Sequence, residues 1–148
     1  MKMQVPVFRQ GRKACGPAAL RMVLAYYGER VTEKAIINAI GGVKSYGART
    51  IALAEFARKM GFKTECLSYN KKMAKGMAKI RKPSKADILK HLRKNIPDFI
   101  VITGYKDGYF FYNDPDDGKR KRIKENDLLF AWHSNVLDSS AYLLAAWK

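Results

Sequence analysis

The order of hydrophobic periods along the chain predicts an α+β fold, with N-terminal helices packed on a C-terminal antiparallel sheet. Two observations carry this. Apolar residues recur at helical spacing up to residue 60, and after Pro97 the period changes to two. Helices first and strands later place the two kinds of element in separate layers. The 148 residues match the commonest size of a single domain, so one domain over residues 1–148 is expected.

Val5-Pro-Val-Phe8 reads as an extended lead-in and Gln10–Ala14 as a turn. The first helix starts at Cys15, with Pro17 early enough that its missing N–H costs nothing. Ala18, Ala19, Leu20, Val23, Leu24 and Tyr27 make nearly every face apolar, so this helix is expected to be buried, with Gly28 ending it. Thr32 is the expected N-cap of a helix over 33–40, closed by Gly41-Gly42. Thr50 is the expected cap for 51–60, closed by Gly61. Residues 62–67 alternate like a strand. Residues 71–81 show weak helical spacing, and Ser84-Lys-Ala-Asp87 resembles a capping box opening a helix to about Arg93. Residues 99–103 and 109–113 read as a hairpin joined through Gly104–Gly108. Asp114-Pro-Asp-Asp-Gly118 reads as a turn. Asn126 or Asp127 is the expected cap of a short helix to Trp132, and 141–147 adds a last strand.

Neither an apolar leader nor a membrane-length segment is visible, and the address expected from the sequence is the cytoplasm. The two cysteines, Cys15 and Cys66, make neither a disulfide framework nor a zinc pattern, so no metal and no cofactor are expected.

Charge is the outstanding compositional feature. Twenty-nine Lys and Arg against 13 Asp and Glu give +16. Such an excess favours a polyanionic partner (RNA, a ribonucleoprotein or an acidic protein), the bland alternative being a solvated lysine-rich surface. Lys71–Lys94 holds ten cations against Asp87 alone, and Lys71, Lys72, Lys75, Lys79, Arg81 and Lys82 are candidate binding residues. Lys119, Arg120, Lys121 and Arg122 form a second candidate cluster, and Arg9, Arg12 and Lys13 a third. Clusters of this kind supply phosphate contacts that weaken steeply with salt. Tyr69, Tyr105, Tyr109 and Tyr112 are either stacking surfaces for single-stranded bases or ordinary core residues.

Cys15 falls where a loop becomes a buried helix. There the positive helix end lowers a thiol pKa, and unpaired N–H groups can stabilise an oxyanion. The alternative is a small apolar residue at a helix start. Gln10 could add an amide donor. Gln10-Gly-Arg-Lys-Ala-Cys-Gly-Pro-Ala-Ala-Leu20 resembles the nucleophile motif of the bacteriocin-processing, double-glycine cysteine peptidases, which have a papain-like fold. Ile102-Thr-Gly-Tyr-Lys-Asp-Gly-Tyr-Phe-Phe-Tyr-Asn-Asp-Pro115 resembles that family's strand, turn, strand and Asp-Pro segment. The similarity runs from Val5 to about Trp132.

The resemblance implies Cys15 as nucleophile, Gln10 as oxyanion-hole donor and Asp114 as the carboxylate that orients the catalytic imidazole. The family histidine stands six residues before the glycine matched by Gly104, and that position here is Asp98. With a pKa near 4, a carboxylate is a poor base for a thiol. His91 is expected on a solvated helix face, while His133, at a helix end, is the weak candidate for an alternative base. Asp114 has its own local reading as a turn residue bonding nearby N–H groups.

Two functions are therefore open. One is a papain-like domain without peptidase activity, a pseudoenzyme retained as a basic module for RNA or another anionic partner. The other is an active thiol peptidase that uses Cys15 with a non-standard base on a peptide substrate. A thiol-dependent transferase on the same scaffold is a third possibility.

Overall fold

The computed structural model describes residues 2–45, 47–69, 99–133 and 141–148. Their order is α1 (Cys15–Tyr26), α2 (Glu33–Ala39), α3 (Thr50–Lys59), β1 (Lys63–Tyr69), β2 (Val101–Lys106), β3 (Tyr109–Asp114), β4 (Lys119–Lys124), α4 (Glu125–His133) and β5 (Ala141–Trp147). The expected helices over 71–81 and 84–93 lie outside the described residues. No helix among the described residues is long and apolar enough to cross a membrane.

Burial on several faces of α1 follows from its composition: Ala18, Ala19, Leu20, Met22 and Leu24 are all inside. Two clusters meet around this helix. Leu20 and Leu24 pack with Ile36 of α2, Leu53 and Ala57 of α3, and Phe62, while Leu144 and Ala146 of β5 close over them. On the other side, Ala19 and Met22 pack with Val5 and Val101. Phe99 touches both clusters, so it joins the helical layer to the strands.

The three N-terminal helices end in the same way. At the end of α3, for example, Gly61 donates to the Arg58 carbonyl and Phe62 to the Ala57 carbonyl. This pattern requires the left-handed backbone that glycine adopts freely, and Gly61 has φ +85°. It also delivers Phe62 into the core beside Ala57. At the other end, Thr32 caps α2 as expected, its Oγ1 accepting from the Ala35 N–H at 3.1 Å. Thr50 does not cap α3: it is the first helical residue, and Arg49 precedes it without a side-chain cap.

The strands form two sheets. β1 and β5 pair antiparallel from Lys63↔Trp147 to Tyr69↔Ala141, and α3 lies against both. β2, β3 and β4 form a meander in that order, with α4 packed on β3 and β4. The expected hairpin is present with a shorter loop. Asp107 (φ 51°) and Gly108 (φ 77°) alone make the turn, the two-residue, left-handed geometry that suits twisted strands. Gly104 belongs to β2, beside a bulge between Ile102 and Gly104. The bulge leaves the Thr103 carbonyl to accept from Met3 N–H at 2.7 Å, and Lys2 bridges Gly104.

Residues 119–124 are a strand rather than only a charged run, and α4 begins at Glu125, ahead of Asn126 and Asp127. The strand has a physical reason. Edge strands need little apolar content, so β4 shows a period of two only when paired with β3.

Candidate active site

Cys15 is the first residue of α1 and is 7% exposed. The chain reaches it through a tight turn, with Lys13 left-handed (φ 56°) and Ala14 donating to the Gly11 carbonyl at 3.3 Å. Ala14 is the N-cap and has no capping side chain, which leaves the positive end of α1 uncompensated by a side-chain cap. Gly11 ties the turn to α2, its N–H donating to both Glu33 carboxylate oxygens at 3.0 and 3.2 Å. Gly16 sets how closely the neighbours approach. A Cβ there would lie 3.0 Å from Leu53 Cδ1, 3.1 Å from Ala48 Cβ and 3.4 Å from Phe99 Cδ2. The first turn of α1 is thus wedged between α3 and Phe99.

Gln10 and Asp114 are brought together across more than 100 residues. The Gln10 N–H donates to the Pro115 carbonyl at 2.6 Å, and Nε2 donates to Asp116 Oδ1 at 3.4 Å. Gln10 Oε1 is buried and has no hydrogen-bond partner among the described residues. Turning the amide over would send its nitrogen inward but set its oxygen against the Asp116 carboxylate, so Asp116 favours the orientation seen. The loop before Cys15 and the turn after β3 also touch at Gly118, where a Cβ would stand 3.1 Å from the Arg9 nitrogen.

Asp114 closes β3 and is 3% exposed. Its Oδ1 accepts from the Asp116 N–H at 2.9 Å, and its Oδ2 accepts from Lys121 Nζ at 2.6 Å. Lys121 also reaches Asp117, at 2.9 Å. Partial burial is the largest single influence on Lys121 and works against its charge. Hydrogen bonds and Coulomb attraction from Asp114 and Asp117 outweigh it, and the ammonium pKa is raised. The Asp117 carboxyl is correspondingly held low, first by its hydrogen bond from Lys121. Asn113, next to Asp114, is 1% exposed and donates to the Val5 and Pro6 carbonyls at 3.1 and 3.2 Å.

The remaining candidates divide simply. Lys119, Arg120, Lys121 and Arg122 lie on β4, at one edge of the three-stranded sheet. Lys121 is engaged by Asp114 and Asp117, and Arg120 donates to the Val5 carbonyl at 3.3 Å. Arg122 stacks on Tyr109 with its guanidinium 5.0 Å from the ring centre. His133 is the last residue of α4, a helix that packs on β3 and β4. His91, Asp98, Lys71, Lys72, Lys75, Lys79, Arg81 and Lys82 lie outside the described residues. Among the described residues, no group of three His, Cys, Asp or Glu could hold a metal ion.

Sequence reasoning missed Lys121 as the partner of Asp114, and Glu33 as the anchor of the nucleophile loop. Lys121 was within reach: once β3 and β4 pair with Asp114 opposite Lys119, residue 121 falls on the same face. Nothing in the sequence marks the Glu33 contact.

An α+β domain whose N-terminal helices, the first opening on a buried cysteine, pack with antiparallel strands has the fold class of the papain-like cysteine peptidases. The Peptidase C39 family profile matches residues 4–140, and the chain belongs to that family. Solved structures that share the fold include two peptidases. One is the double-glycine motif protease of an AMS/PCAT transporter, solved with its leader peptide; it is 24% identical, with a TM-score of 0.66, over 98% of this chain and 92% of that one. The other is the peptidase domain of Streptococcus ComA, a bifunctional ABC transporter of a quorum-sensing pathway; it is 17% identical, with a TM-score of 0.64, over 97% and 98%. No curated protein matches the sequence.

Proposed function

We propose that this chain is a single C39-type domain whose peptidase chemistry is impaired, working in a reducing cytoplasm as a basic binding module for RNA or another anionic partner. The observation that carries this reading is the 2.6 Å pair between Asp114 and Lys121. The carboxylate that the family resemblance assigns to orienting an imidazole here holds an ammonium and a backbone N–H. A buried carboxylate satisfied in this way needs no imidazole for its stability.

Two further features point the same way. Counting along the sequence, six residues before Gly104, puts Asp98 at the position of the family histidine, and a carboxylate with its pKa near 4 is a poor base for a thiol. The Gln10 amide, expected as an oxyanion donor, spends its Nε2 on Asp116.

The alternative, an active thiol peptidase with His133 as an unconventional base, keeps the same nucleophile and would cleave a leader-type peptide. The pH dependence of Cys15 alkylation in a Cys66→Ser background separates the two. A single rise near pH 8, with no turnover of a double-glycine leader peptide, is the expected result. Fast alkylation persisting below pH 6, together with turnover abolished by Cys15→Ala, would establish the peptidase instead. Asp98→His is the companion variant, expected to shift the alkylation profile towards acid because it puts an imidazole at the sequence position of the family histidine.

A further inference from the structure

The hairpin end of the three-stranded sheet carries an ordered arrangement of cations and rings that the catalytic geometry does not use. Register puts Lys106, Tyr109 and Lys124 side by side across β2, β3 and β4, and Gly104, Phe111 and Arg122 side by side in the next row of the same face. Lys2 bridges Gly104 from the far edge. Because Gly104 has no side chain, Lys2 reaches over it to place Nζ 4.8 Å from the centre of Phe111. Arg122 lies over Tyr109 at 5.0 Å. Each ring is therefore flanked by cations on both sides, and Lys2, Lys106, Arg122 and Lys124 are all exposed. The acids nearby leave the face positive: Asp107 stands at the turn, 3.9 Å from Lys106, and Glu125 is turned to Tyr105, which pairs with Phe110 on the opposite face. At the far end of this face, Asn113 and Arg120 are occupied by Val5 and Pro6, which bounds the patch to the hairpin end.

We infer that this face binds single-stranded nucleic acid, with Lys2, Lys106, Arg122 and Lys124 contacting phosphates and Tyr109 and Phe111 offering stacking surfaces. The inference deepens the anionic-partner part of the proposed function and rests on it. Arg122 and Lys124 are two residues apart on one strand, about 6–7 Å, close to the step between successive phosphates of an extended single strand. The cation–π contacts restrain two of the four cations beforehand, so less side-chain entropy is lost on binding. Rings interleaved with cations suit a ligand that has both charge and planar faces, whereas an acidic peptide or anionic lipid would use the charges alone.

The test is fluorescence anisotropy of a labelled 20-mer of oligouridylate with the full chain, from 50 to 200 mM NaCl. Log affinity is expected to fall linearly with log salt, and Arg122→Ala/Lys124→Ala should lower the slope by about 1.4 and affinity at least about tenfold. Lys34→Ala, an exposed cation on α2, is the control and should cost less than about threefold. Tyr109→Leu, which keeps every charge, should cost about tenfold, equivalent to one lost stacking contact; melting temperatures verify that each variant is folded.

Binding that survives both the double variant and Tyr109→Leu would overturn this face while leaving an anionic partner at the other cation clusters. Equal competition by poly-glutamate or by phosphatidylserine vesicles would overturn the nucleic-acid assignment in favour of a simple polyanion surface. No binding at 50 mM NaCl would overturn both this inference and the RNA-binding reading. None of these outcomes depends on Cys15, whose reactivity the alkylation experiment reads separately.

Discussion

At the scale of single residues, the buried charge of Asp114 has to be met by its neighbours. Its side chain is 4% exposed, and Lys121 supplies its cation. Removing Lys121 leaves a buried anion with one backbone N–H donor. Lys121→Met should therefore cost about 1–3 kcal/mol, the range for losing a hydrogen bond to a buried charge, read as a lower denaturation midpoint. Lys121→Arg, which keeps a cation, should recover much of it. The same group sets a pH dependence. The pKa of Lys121 is raised in the folded chain, so its stabilisation is complete below the unfolded value of about 10.4 and is lost as pH rises through the folded value. Asp117 is lowered, so its contribution is present above about 3.9 and is lost as pH falls through its folded value. Stability measured from pH 3 to 11 should thus lose the Lys121 contribution only at strongly alkaline pH and the Asp117 contribution only at strongly acid pH.

At the scale of elements, two close approaches assemble the site. Gly118 packs on Arg9 with φ +68°, so any side chain there meets both backbone strain and a clash. Gly118→Ala should cost about 1–3 kcal/mol and should separate the Gln10 loop from the Asp114 turn. The other approach is α3 against α1. Leu53 is 1% exposed and stands beside Gly16, and Leu53→Ala should cost about 2–5 kcal/mol through lost burial and the cavity left behind. Equilibrium urea unfolding measures both. Each helix of the N-terminal layer was legible in the sequence because cap and stop residues act within a few positions: Thr32 bonds Ala35, and Gly61 ends α3 where expected. The hairpin was legible in kind, but not in loop length, because its shortening depends on a bulge that the N-terminal segment completes through Met3 and Thr103. β4 was not legible as a strand, since Lys119–Lys124 has the look of a solvated charge run until β3 supplies its ladder.

At the scale of the whole molecule, +16 is a source of self-repulsion that salt screens over about 8 Å under physiological conditions. The melting temperature should rise between 20 and 300 mM NaCl; a fall would mean that pairs such as Lys121 with Asp114 and Asp117 outweigh the general repulsion. By itself, the sequence determined the α+β order, the glycine stops of α1, α2 and α3 and the charge, and it put Cys15, Gln10 and Asp114 in segments that resemble the C39 motifs. These are properties of local periodicity, composition and spacing, which need no knowledge of distant neighbours. Only the tertiary structure decided what each of those residues touches: Gln10 meets Pro115 and Asp116, Asp114 meets Lys121, and Lys2 meets Phe111 across Gly104. The Gln10 and Lys2 contacts join residues more than 100 positions apart, and even the Asp114 contact waits on the pairing of β3 with β4. The physical reason is that hydrogen bonds and ion pairs act over a few ångströms in space, whatever the separation along the chain.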